Sequence, residues 1–301
     1  MAVQLPSRTQ VVIIGGGIIG CSLAYHLTRR GWTDVVLLER KQLTCGTTWH
    51  AAGLVGQLRA SQNMTRLAQY TTDLFRTLEA ETGQATGMKQ NGSVSIARTA
   101  GRMEELVRGA DMAKVFGLDV DVIDTAECKQ LWPLMSTHDV IGGVYLPNDG
   151  QTNPSDTAAA LARGAKQAGA TIIEGVRVTG VTVTNGQASG VTTEAGSIEA
   201  EYVVNCAGMW AREVGRMAGV NVPLHAAEHF YIVTEPVPDL PATLPVMRDP
   251  DGCVYWKEDA GKLLIGCFEP VAKPWGMDGI PDDFEFDELP EDYDHFEPIL
   301  M

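Results

Sequence analysis

The chain has 301 residues, of which 45% are hydrophobic and 20% are charged, and its formal net charge is −15. This length and composition predict a globular protein with a large buried core, organised as two domains or as one large α/β unit. The acidic excess argues against nucleic acid or an anionic membrane as a partner, because binding to either requires clustered Lys and Arg that neutralise phosphate.

A β-α-β unit is the first structure predicted along the chain. The apolar run VVII is followed by GGG, by a helical apolar pattern and by a second apolar run that ends at Glu39. The uncharged stretch VVIIGGGIIGCSLAYHL could be read as a short membrane span, but its glycines and the following TRR favour strand, turn and helix. We therefore predict no transmembrane helix. The segment MAVQLPSRTQ resembles neither a secretory signal nor a transit peptide, which predicts a cytoplasmic protein.

Alternating helices and strands are predicted over the next part of the chain. An amphipathic helix at 61–81 is followed by the strand NGSVSIA, a helix in GRMEELVRGADMAKVFGL, a short helix stopped by Pro133, and the strand IGGVYLP. Asn153 as N-cap and Pro154 at the first position begin another helix, which leads into the strand TIIE. The residues predicted on the apolar face of helix 61–81 are Met64, Leu67, Ala68, Leu74, Phe75 and Leu78.

The remaining strands fall into two groups. Residues 176–208 alternate apolar and polar side chains between turn signals, which predicts a small antiparallel meander ending in a buried strand. HFYIVTEPVP, CVYWKED and KLLIGCF then predict strands of another sheet. The acidic stretch MDGIPDDFEFDELPEDYDHFEPILM is predicted to be a solvated surface, and its abrupt end suggests a truncated chain. The scattered cysteines form no CxxC pair, so we predict reduced, mostly buried thiols and no metal site.

The glycines after the first strand carry a dinucleotide-binding pattern. Gly15, Gly17 and Gly20 form GxGxxG between an apolar strand and a helix, and Glu39 lies nineteen residues beyond Gly20 at the end of the next strand. Such glycines allow a tight turn, close approach of a pyrophosphate and close helix–strand packing, and the acid accepts hydrogen bonds from a ribose. The pattern favours NAD or FAD over NADP, with a purely structural glycine turn as the alternative.

The loop that follows Glu39 bears on the choice between NAD and FAD. An NAD domain would normally continue its βα alternation, whereas residues 41–56 form a small-residue loop that contains Trp49 and His50. Taken by itself, His50 is best explained as a loop histidine that hydrogen-bonds backbone or a ligand.

Several segments resemble one flavoprotein family. GGGIIG, LLER, GTTWHAAGL, LWPLM, GGVYLPNDGQTNP, VVNCAGMWA and VYWKED occur in the order and at the spacing found in dimethylglycine dehydrogenase, sarcosine dehydrogenase and dimethylglycine oxidase. The resemblance covers nearly the whole chain. It implies an α/β, D-amino-acid-oxidase-like fold in which a GxGxxG FAD-binding Rossmann-like domain is interleaved with a β-rich substrate domain. The implied segments are 1–86 and 146–222 for FAD, 87–145 and 223–280 for the substrate, and an acidic tail at 281–301.

The same resemblance implies a set of cofactor-binding residues. It assigns to His50 a covalent bond with the 8α-methyl carbon of FAD, which a neutral imidazole can attack once that methyl group is deprotonated. The residues implied to contact FAD are Gly15, Gly17, Ile18, Ile19, Gly20, Glu39, Arg40, Thr47, Thr48, Trp49, His50, Leu54, Val178, Ala207 and Gly208.

The resemblance further implies oxidation of an N-methyl amino acid to an iminium, with hydride passing to flavin. His229 and Tyr255 are implied to act together on the amine proton. Arg248 could anchor a substrate carboxylate, although an ion pair with Asp249 or Asp251 is an equal alternative. Full-length relatives couple the reaction to tetrahydrofolate, and an electron-transfer flavoprotein is a candidate partner.

Other functions are compatible with parts of the sequence. The fold also occurs in other amino-acid oxidases and in glycerol-3-phosphate oxidases and dehydrogenases, and the regulatory subunit of pyruvate dehydrogenase phosphatase resembles this family without being an oxidase. His50, His229 and Tyr255 favour the enzyme over these alternatives.

Overall fold

The structure is a computed structural model that describes residues 4 to 300. The helices are α1 Ile18–Arg29, α2 Gln62–Thr82, α3 Ala100–Val115, α4 Thr125–Leu131, α5 Pro154–Gln167, α6 Ala211–Met217 and α7 Tyr293–Leu300, and a short 3-10 helix lies at Gly208–Trp210. The strands are β1 Arg8–Ile14, β2 Val35–Leu38, β3 Leu54–Val55, β4 Ser93–Ala97, β5 Asp121–Ile123, β6 Gly142–Leu146, β7 Gly150–Gln151, β8 Thr171–Ile173, β9 Val178–Thr184, β10 Gln187–Thr193, β11 Gly196–Asn205, β12 Ala226–Ala227, β13 Tyr231–Val233, β14 Val246–Asp249, β15 Val254–Asp259, β16 Lys262–Cys267 and β17 Pro274–Trp275.

The first large sheet has the strand order β8-β2-β1-β11-β10-β9. Strands β8, β2, β1 and β11 pair in parallel, and β11, β10 and β9 form the predicted antiparallel meander. Alternate residues of β1 enter two hydrophobic cores: Val11 and Ile13 pack with residues of α1 and α5, while Val12 and Ile14 pack with residues of the meander. Burial on both faces explains why this strand is a continuous apolar run without alternation.

The second large sheet has the order β13-β16-β15-β14-β4-β6-β5. Its two faces differ in character, as β4 illustrates. Val94 and Ile96 point into a core with Trp132, which follows α4, whereas Ser93 and Ser95 point to the opposite face and line a cavity. The period-2 alternation of side chains along a strand therefore separates structural from polar positions here.

The two sheets draw on alternating parts of the chain. The first uses strands within residues 8–38 and 171–205, and the second uses strands within 93–146 and 231–267. Strands β3 and β7 form a small antiparallel pair between these parts. The segment boundaries inferred from the sequence remain a prediction, and β6 ends one residue past the boundary at 145.

Helix α5 begins as the sequence predicts. The Asn153 side chain accepts a hydrogen bond from the backbone N–H of Asp156, and Pro154 occupies the first turn. The short helix α4 also ends before Pro133, as predicted. None of the helices within residues 4 to 300 is long and apolar enough to cross a bilayer.

The predicted apolar face of α2 is wrong in its N-terminal half. Met64 and Leu67 are 52% and 58% exposed, whereas Leu78 is fully buried and Thr65 and Thr72 face inward. Threonine can occupy a buried helix position when its hydroxyl is satisfied locally, and that of Thr72 donates to the carbonyl of Ala68. The buried face is therefore rotated relative to the hydrophobic pattern.

The acidic tail is not simply a solvated surface, which corrects the prediction for residues 277–300; Met301 lies outside the described residues. Phe284 and Phe296 are buried at 7% and 3% exposure, and Phe286 packs edge-on against Trp49 at 5.9 Å between ring centroids. Arg40 donates hydrogen bonds to the carbonyl oxygens of Asp282 and Phe284. The aromatic residues that alternate with the acids supply the packing, so this segment covers the loop after β2. Its carboxylates include three that pair with cations: Glu285 with Lys41, Asp282 with Arg177 and Asp292 with Lys273.

Candidate cofactor and substrate site

A cavity of about 180 Å³ lies at the carboxyl ends of β1, β2 and β11. Gly15 lines this cavity and has a φ of +111°, a conformation that favours glycine. A Cβ at this position would lie 2.4 Å from the carbonyl oxygen of Cys206. A Cβ on Gly20 would lie 2.0 Å from the carbonyl oxygen of Gly15, so α1 approaches this turn closely. Gly17, with φ −75°, is the N-cap of α1.

Glu39 closes one side of this cavity and is 7% exposed. Its Oε2 accepts a hydrogen bond of 2.7 Å from the backbone N–H of Gly16, and its Oε1 accepts one of 2.9 Å from the backbone N–H of Lys41. A carboxylate has roughly four acceptor sites, so lone pairs remain for hydroxyl groups of a ligand. Glu39 therefore both fixes the glycine turn and stays able to bind a ribose.

The loop after β2 supplies the next part of the wall. Thr48 is buried, and its hydroxyl accepts a hydrogen bond of 3.0 Å from the first backbone N–H of α1, on Ile18. Arg40 stacks its guanidinium on the Trp210 ring at 4.0 Å in a cation–π contact, in addition to its bonds with the tail. Arg40 therefore holds the tail and Trp210 in place at the edge of the cavity.

Unpartnered polar atoms on the wall test whether a dinucleotide fits here. Trp210 Nε1 and Glu213 Oε2 are buried, line the cavity and have no hydrogen-bond partner within residues 4 to 300. Buried polar atoms in folded proteins are normally satisfied, so both indicate a ligand that carries acceptors and donors. Together with the glycine turn and Glu39, they fit the hydroxyl-rich and phosphate-bearing part of FAD.

The predicted cofactor residues divide into those that line this cavity and those that do not. Ile19 is 67% exposed on the surface of α1, and Gly20 lies beneath the turn. Sequence reasoning missed Gly16, Trp210 and Glu213, although the AGMW that follows the buried β11 strand could have drawn attention to Trp210. The predicted residues on the cavity wall are Gly15, Gly17, Glu39, Arg40, Thr47, Thr48, Val178, Ala207 and Gly208. Those away from it are Ile18, Ile19, Gly20, Trp49, His50 and Leu54.

His50 lies in the same loop, two residues beyond Thr48. Its ring stacks on Trp49 with centroids 4.2 Å apart, and its Nε2 is 3.0 Å from the carbonyl oxygen of Gly46. Partial burial lowers the pKa of His50 below its usual 6.5, so the imidazole is neutral at physiological pH. A neutral ring keeps one nitrogen lone pair free, which is the form that nucleophilic attachment requires.

A second cavity, of about 110 Å³, lies between this loop and the second sheet. Leu54 and Arg59 line it from the loop side, and Ser93, Ser95 and Arg248 line it from the sheet. The loop is fastened to the sheet by Lys257, whose Nζ donates a hydrogen bond of 2.9 Å to the carbonyl of Ala52. The loop that carries His50 therefore touches both cavities.

Asp149 is the buried acid of the second cavity. Its Oδ1 accepts hydrogen bonds from the backbone N–H and the side chain of Gln57, and its Oδ2 accepts one of 2.6 Å from Ser93. Burial raises its pKa above the usual range. Sequence reasoning missed Asp149, because its PNDG context resembles an ordinary turn.

The structure brings His229 and Tyr255 together, as the resemblance implies. Tyr255 Oη lies 3.4 Å from His229 Nε2, and Phe268 packs against both rings. Gly266 leaves room beneath the tyrosine, since a Cβ there would lie 2.1 Å from Tyr255 Cζ. Desolvation raises the pKa of Tyr255 to about 12 and lowers the pKa of His229, although part of the histidine ring is accessible to solvent. The pair is therefore neutral at physiological pH.

Neither His229 nor Tyr255 lines either cavity directly. Tyr255 is paired with Arg248 across β14 and β15, and paired residues of neighbouring strands project from the same face. The pair therefore lies on the sheet face that borders the second cavity. No cluster of three or more potential metal ligands occurs within residues 4 to 300.

Comparison with known proteins places these features in a family. A family model described as FAD dependent oxidoreductase matches residues 10–300. The chain is 43% identical to human (Homo sapiens) sarcosine dehydrogenase over 97% of its length, 41% identical to the mouse (Mus musculus) pyruvate dehydrogenase phosphatase regulatory subunit over 99%, and 40% identical to 4-methylaminobutanoate oxidase (formaldehyde-forming) of Paenarthrobacter nicotinovorans over 98%. It covers 32%, 34% and 36% of those proteins, about a third of their length.

Solved structures bear on the fold. The structure of L-proline dehydrogenase from P. horikoshii superposes with a TM-score of 0.86 at 24% identity, covering 98% of this chain and 76% of that one. The predicted fold class, a Rossmann-like FAD-binding domain with a β-rich domain, is thereby confirmed.

Proposed function

The chain belongs to the family of FAD-dependent oxidoreductases, and from this premise we propose that it oxidises the N-methyl group of an amino acid such as sarcosine or dimethylglycine to an iminium. When bound, FAD would supply the acceptor for the hydride that leaves the methyl carbon. The two named oxidising relatives act, by their names, on N-methylated substrates, which supports this substrate class.

The His229–Tyr255 contact is the observation that carries the proposal. An N-methyl amino acid is a cation in water, and hydride leaves its carbon only when the nitrogen lone pair is free. Because His229 is neutral, its Nε2 can accept the ammonium proton, with the hydroxyl of Tyr255 in position to relay it at 3.4 Å. The neutral, protonated tyrosine remains a donor throughout the physiological pH range.

FAD is proposed to bind with its adenosine diphosphate part in the first cavity and its ring system at the wall of the second. Gly15, Gly17 and Glu39 would hold the pyrophosphate and ribose, and the unpartnered Trp210 Nε1 would gain an acceptor. Leu54, on the wall of the second cavity, is proposed to contact the ring system. Ile18, Ile19 and Gly20 would act through the turn they support.

We further propose that His50 is the covalent tether of FAD. Its neutral imidazole and its place between the two cavities support this assignment. After reconstitution with FAD and denaturation, flavin fluorescence should remain on the polypeptide of the wild type and be absent from His50→Ala. Flavin that washes away completely from the wild type would contradict the tether while leaving FAD binding intact.

Tetrahydrofolate and an electron-transfer flavoprotein are proposed partners of the complete reaction. Tetrahydrofolate would take up the one-carbon unit if a folate-binding region accompanies this domain in the full-length protein, and the flavoprotein would accept the electrons. A cytoplasmic location remains a prediction from the sequence.

A regulatory role without catalysis is the second candidate. It is favoured by the 41% identity to the phosphatase regulatory subunit, which is close to the identity with sarcosine dehydrogenase. Turnover separates the two functions. With FAD and an artificial electron acceptor, the enzyme should convert sarcosine to glycine and formaldehyde. Absence of formaldehyde from sarcosine, dimethylglycine and 4-methylaminobutanoate, in protein that has bound FAD, would favour the regulatory role.

A further inference from the structure

Residues 277–286 of the acidic tail, here called the strap, run along the first cavity. Gly279, Ile280 and Asp282 of this stretch line the cavity. We propose that the strap is the outer wall of the adenosine site, fixed to α6 at one end and to the loop after β2 at the other, and that it must open to admit FAD. The inference rests on FAD as the proposed occupant of this cavity, and it does not depend on the substrate.

The strap is fastened on both sides of the glycine turn. At its first residue, the carbonyl of Met277 accepts a hydrogen bond of 3.0 Å from Nη2 of Arg212 in α6, the helix that follows β11. At its last residue, the backbone N–H of Phe286 donates one of 3.0 Å to the carbonyl of Cys45, in the loop after β2. Strand β1, which ends at the glycine turn, lies between β11 and β2 in the sheet. The strap therefore spans the cavity at the ends of these three strands.

Between these two ends, charged side chains hold the strap. Arg40 donates to two of its carbonyl oxygens, at 3.1 and 2.7 Å. Asp282 Oδ1 lies 2.9 Å from Nη2 of Arg177. Glu285 Oε2 lies 3.7 Å from Nζ of Lys41. The Asp282 side chain is 71% exposed, and ion pairs between exposed groups are weak and screened by salt. These contacts keep the strap closed while allowing it to open.

The strap has an anchored part and a part that can move. Phe284 is buried and packs on Trp275 with ring centroids 4.9 Å apart. Gly279 has a φ of +125°, which favours glycine, and a Cβ there would meet nothing within 4 Å. The stretch 277–283 is therefore the part that opens, with its backbone freedom at Gly279, while Phe284 stays packed.

The cations that hold the strap also attract the cofactor. Arg40 and Arg177 both line the cavity, and both bind the strap at Asp282. The diphosphate of FAD is an anion that pairs well with guanidinium groups. An entering diphosphate therefore competes with the strap for the same two arginines, which couples entry of FAD to opening of the strap.

Stopped-flow mixing of apoprotein with FAD, followed by flavin fluorescence, tests this gate. The rate is that of the first encounter, which precedes any bond to His50. If the strap opens before FAD enters, the observed rate should level off at high FAD concentration, at the rate of opening. Added salt should raise this limiting rate, because it screens the ion pairs of the strap.

Substitutions within the strap separate its contacts from its general charge. Asp282→Asn removes the ion pair with Arg177 and should raise the limiting rate about 2- to 5-fold, the range expected for one exposed ion pair. Asp278→Asn is the matched control, because Asp278 is an exposed acid of the strap with no ion pair within residues 4 to 300, and it should leave the rate unchanged. Gly279→Ala alters no charge and meets no neighbour, but it strains the closed backbone and should also raise the limiting rate.

Two results would overturn the gate. One is an observed rate that keeps rising in proportion to FAD concentration without levelling off. The other is an equal limiting rate in the wild type, Asp282→Asn and Gly279→Ala. A limiting rate that depends on the strap, in protein that oxidises no N-methyl amino acid, would leave the gate standing and remove the proposed function.

Discussion

The two cavities are built in different ways. The first is formed largely by backbone: a glycine turn with positive φ, the N–H groups of Gly16 and Lys41 held by Glu39, and the N-terminus of α1. The second is formed by side chains from distant parts of the chain, including Arg59, Ser93 and Arg248. Backbone geometry suits a cofactor that never changes, while side chains allow substrate choice to vary on one scaffold.

Damage to the glycine turn should have the largest effect and should disable both cavities. Gly15→Ala places a Cβ 2.4 Å from the Cys206 carbonyl oxygen, so we expect a loss of about 3 kcal/mol in the free energy of unfolding and loss of FAD binding. Gly31→Ala is the control, because Gly31 also has positive φ but a Cβ there meets nothing within 4 Å. It should cost about 1–2 kcal/mol and keep FAD binding. Chemical denaturation and FAD titration measure both quantities. Retained FAD binding in Gly15→Ala would show that the turn is not the cofactor floor.

Loss of the proton acceptor should affect only the second region. His229→Gln should lower kcat/KM for sarcosine by about 10²- to 10⁴-fold, the usual contribution of a general base, with unchanged FAD affinity. The neighbouring, exposed His225→Gln serves as control and should be nearly silent. An equal loss in both variants would argue against a specific role for His229.

The pH dependence of the reaction is a second test of His229 as the proton acceptor. Because desolvation lowers the pKa of His229, the imidazole stays neutral down to a pH below its usual 6.5. In the wild type kcat/KM should therefore fall as pH drops through this lowered pKa, since a protonated ring cannot accept a proton. The acidic limb should be missing from His229→Gln, and an unchanged limb would assign it to another group.

A smaller effect is expected from Glu39, because an amide keeps one of the two oxygens that accept backbone hydrogen bonds from Gly16 and Lys41. Glu39→Gln should weaken FAD binding about tenfold through loss of a charged acceptor, with little change in substrate affinity. Glu201→Gln, on the exposed part of β11, is the control. Titration of apoprotein with FAD measures the effect. Equal affinity in wild type and Glu39→Gln would mean that the carboxylate serves only the glycine turn.

The contrast between the cavities also explains what the sequence could predict. The β-α-β unit and the glycine turn depend on local patterns, and hydrophobic periodicity predicts many of the other strands and helices, but not β5, β14 or α6. The sequence does not predict that Arg248 lacks an ion pair with the adjacent acids. Asp249 and Asp251 pair instead with Arg98 and Arg102, which lie more than a hundred residues earlier in the chain. The burial of Asp149 is equally hidden in its turn-like PNDG context, because its partners Gln57 and Ser93 are distant in sequence.

The acidic tail and the buried face of α2 are two places where the sequence predicts burial wrongly. The composition of residues 277–301 indicates exposure, yet Phe284 and Phe296 are buried, and Phe284 packs against Trp275. On α2, hydrophobicity alone predicts Met64 and Leu67 as buried, whereas threonines take the inner positions. The hydroxyl of Thr72 is satisfied within the helix, and that of Thr65 bonds to the backbone of Arg59 just before it. Average composition and periodicity do not show which side chains tertiary contacts will bury.

Anaerobic titration of the FAD-loaded protein with sarcosine tests most directly whether the two cavities serve one reaction, because it needs no external electron acceptor. The account predicts that the oxidised flavin absorbance bleaches as sarcosine is added, that His229→Gln reaches the same end point more slowly, and that glycine replaces sarcosine in solution. Flavin that stays oxidised with saturating sarcosine and with saturating dimethylglycine would contradict it.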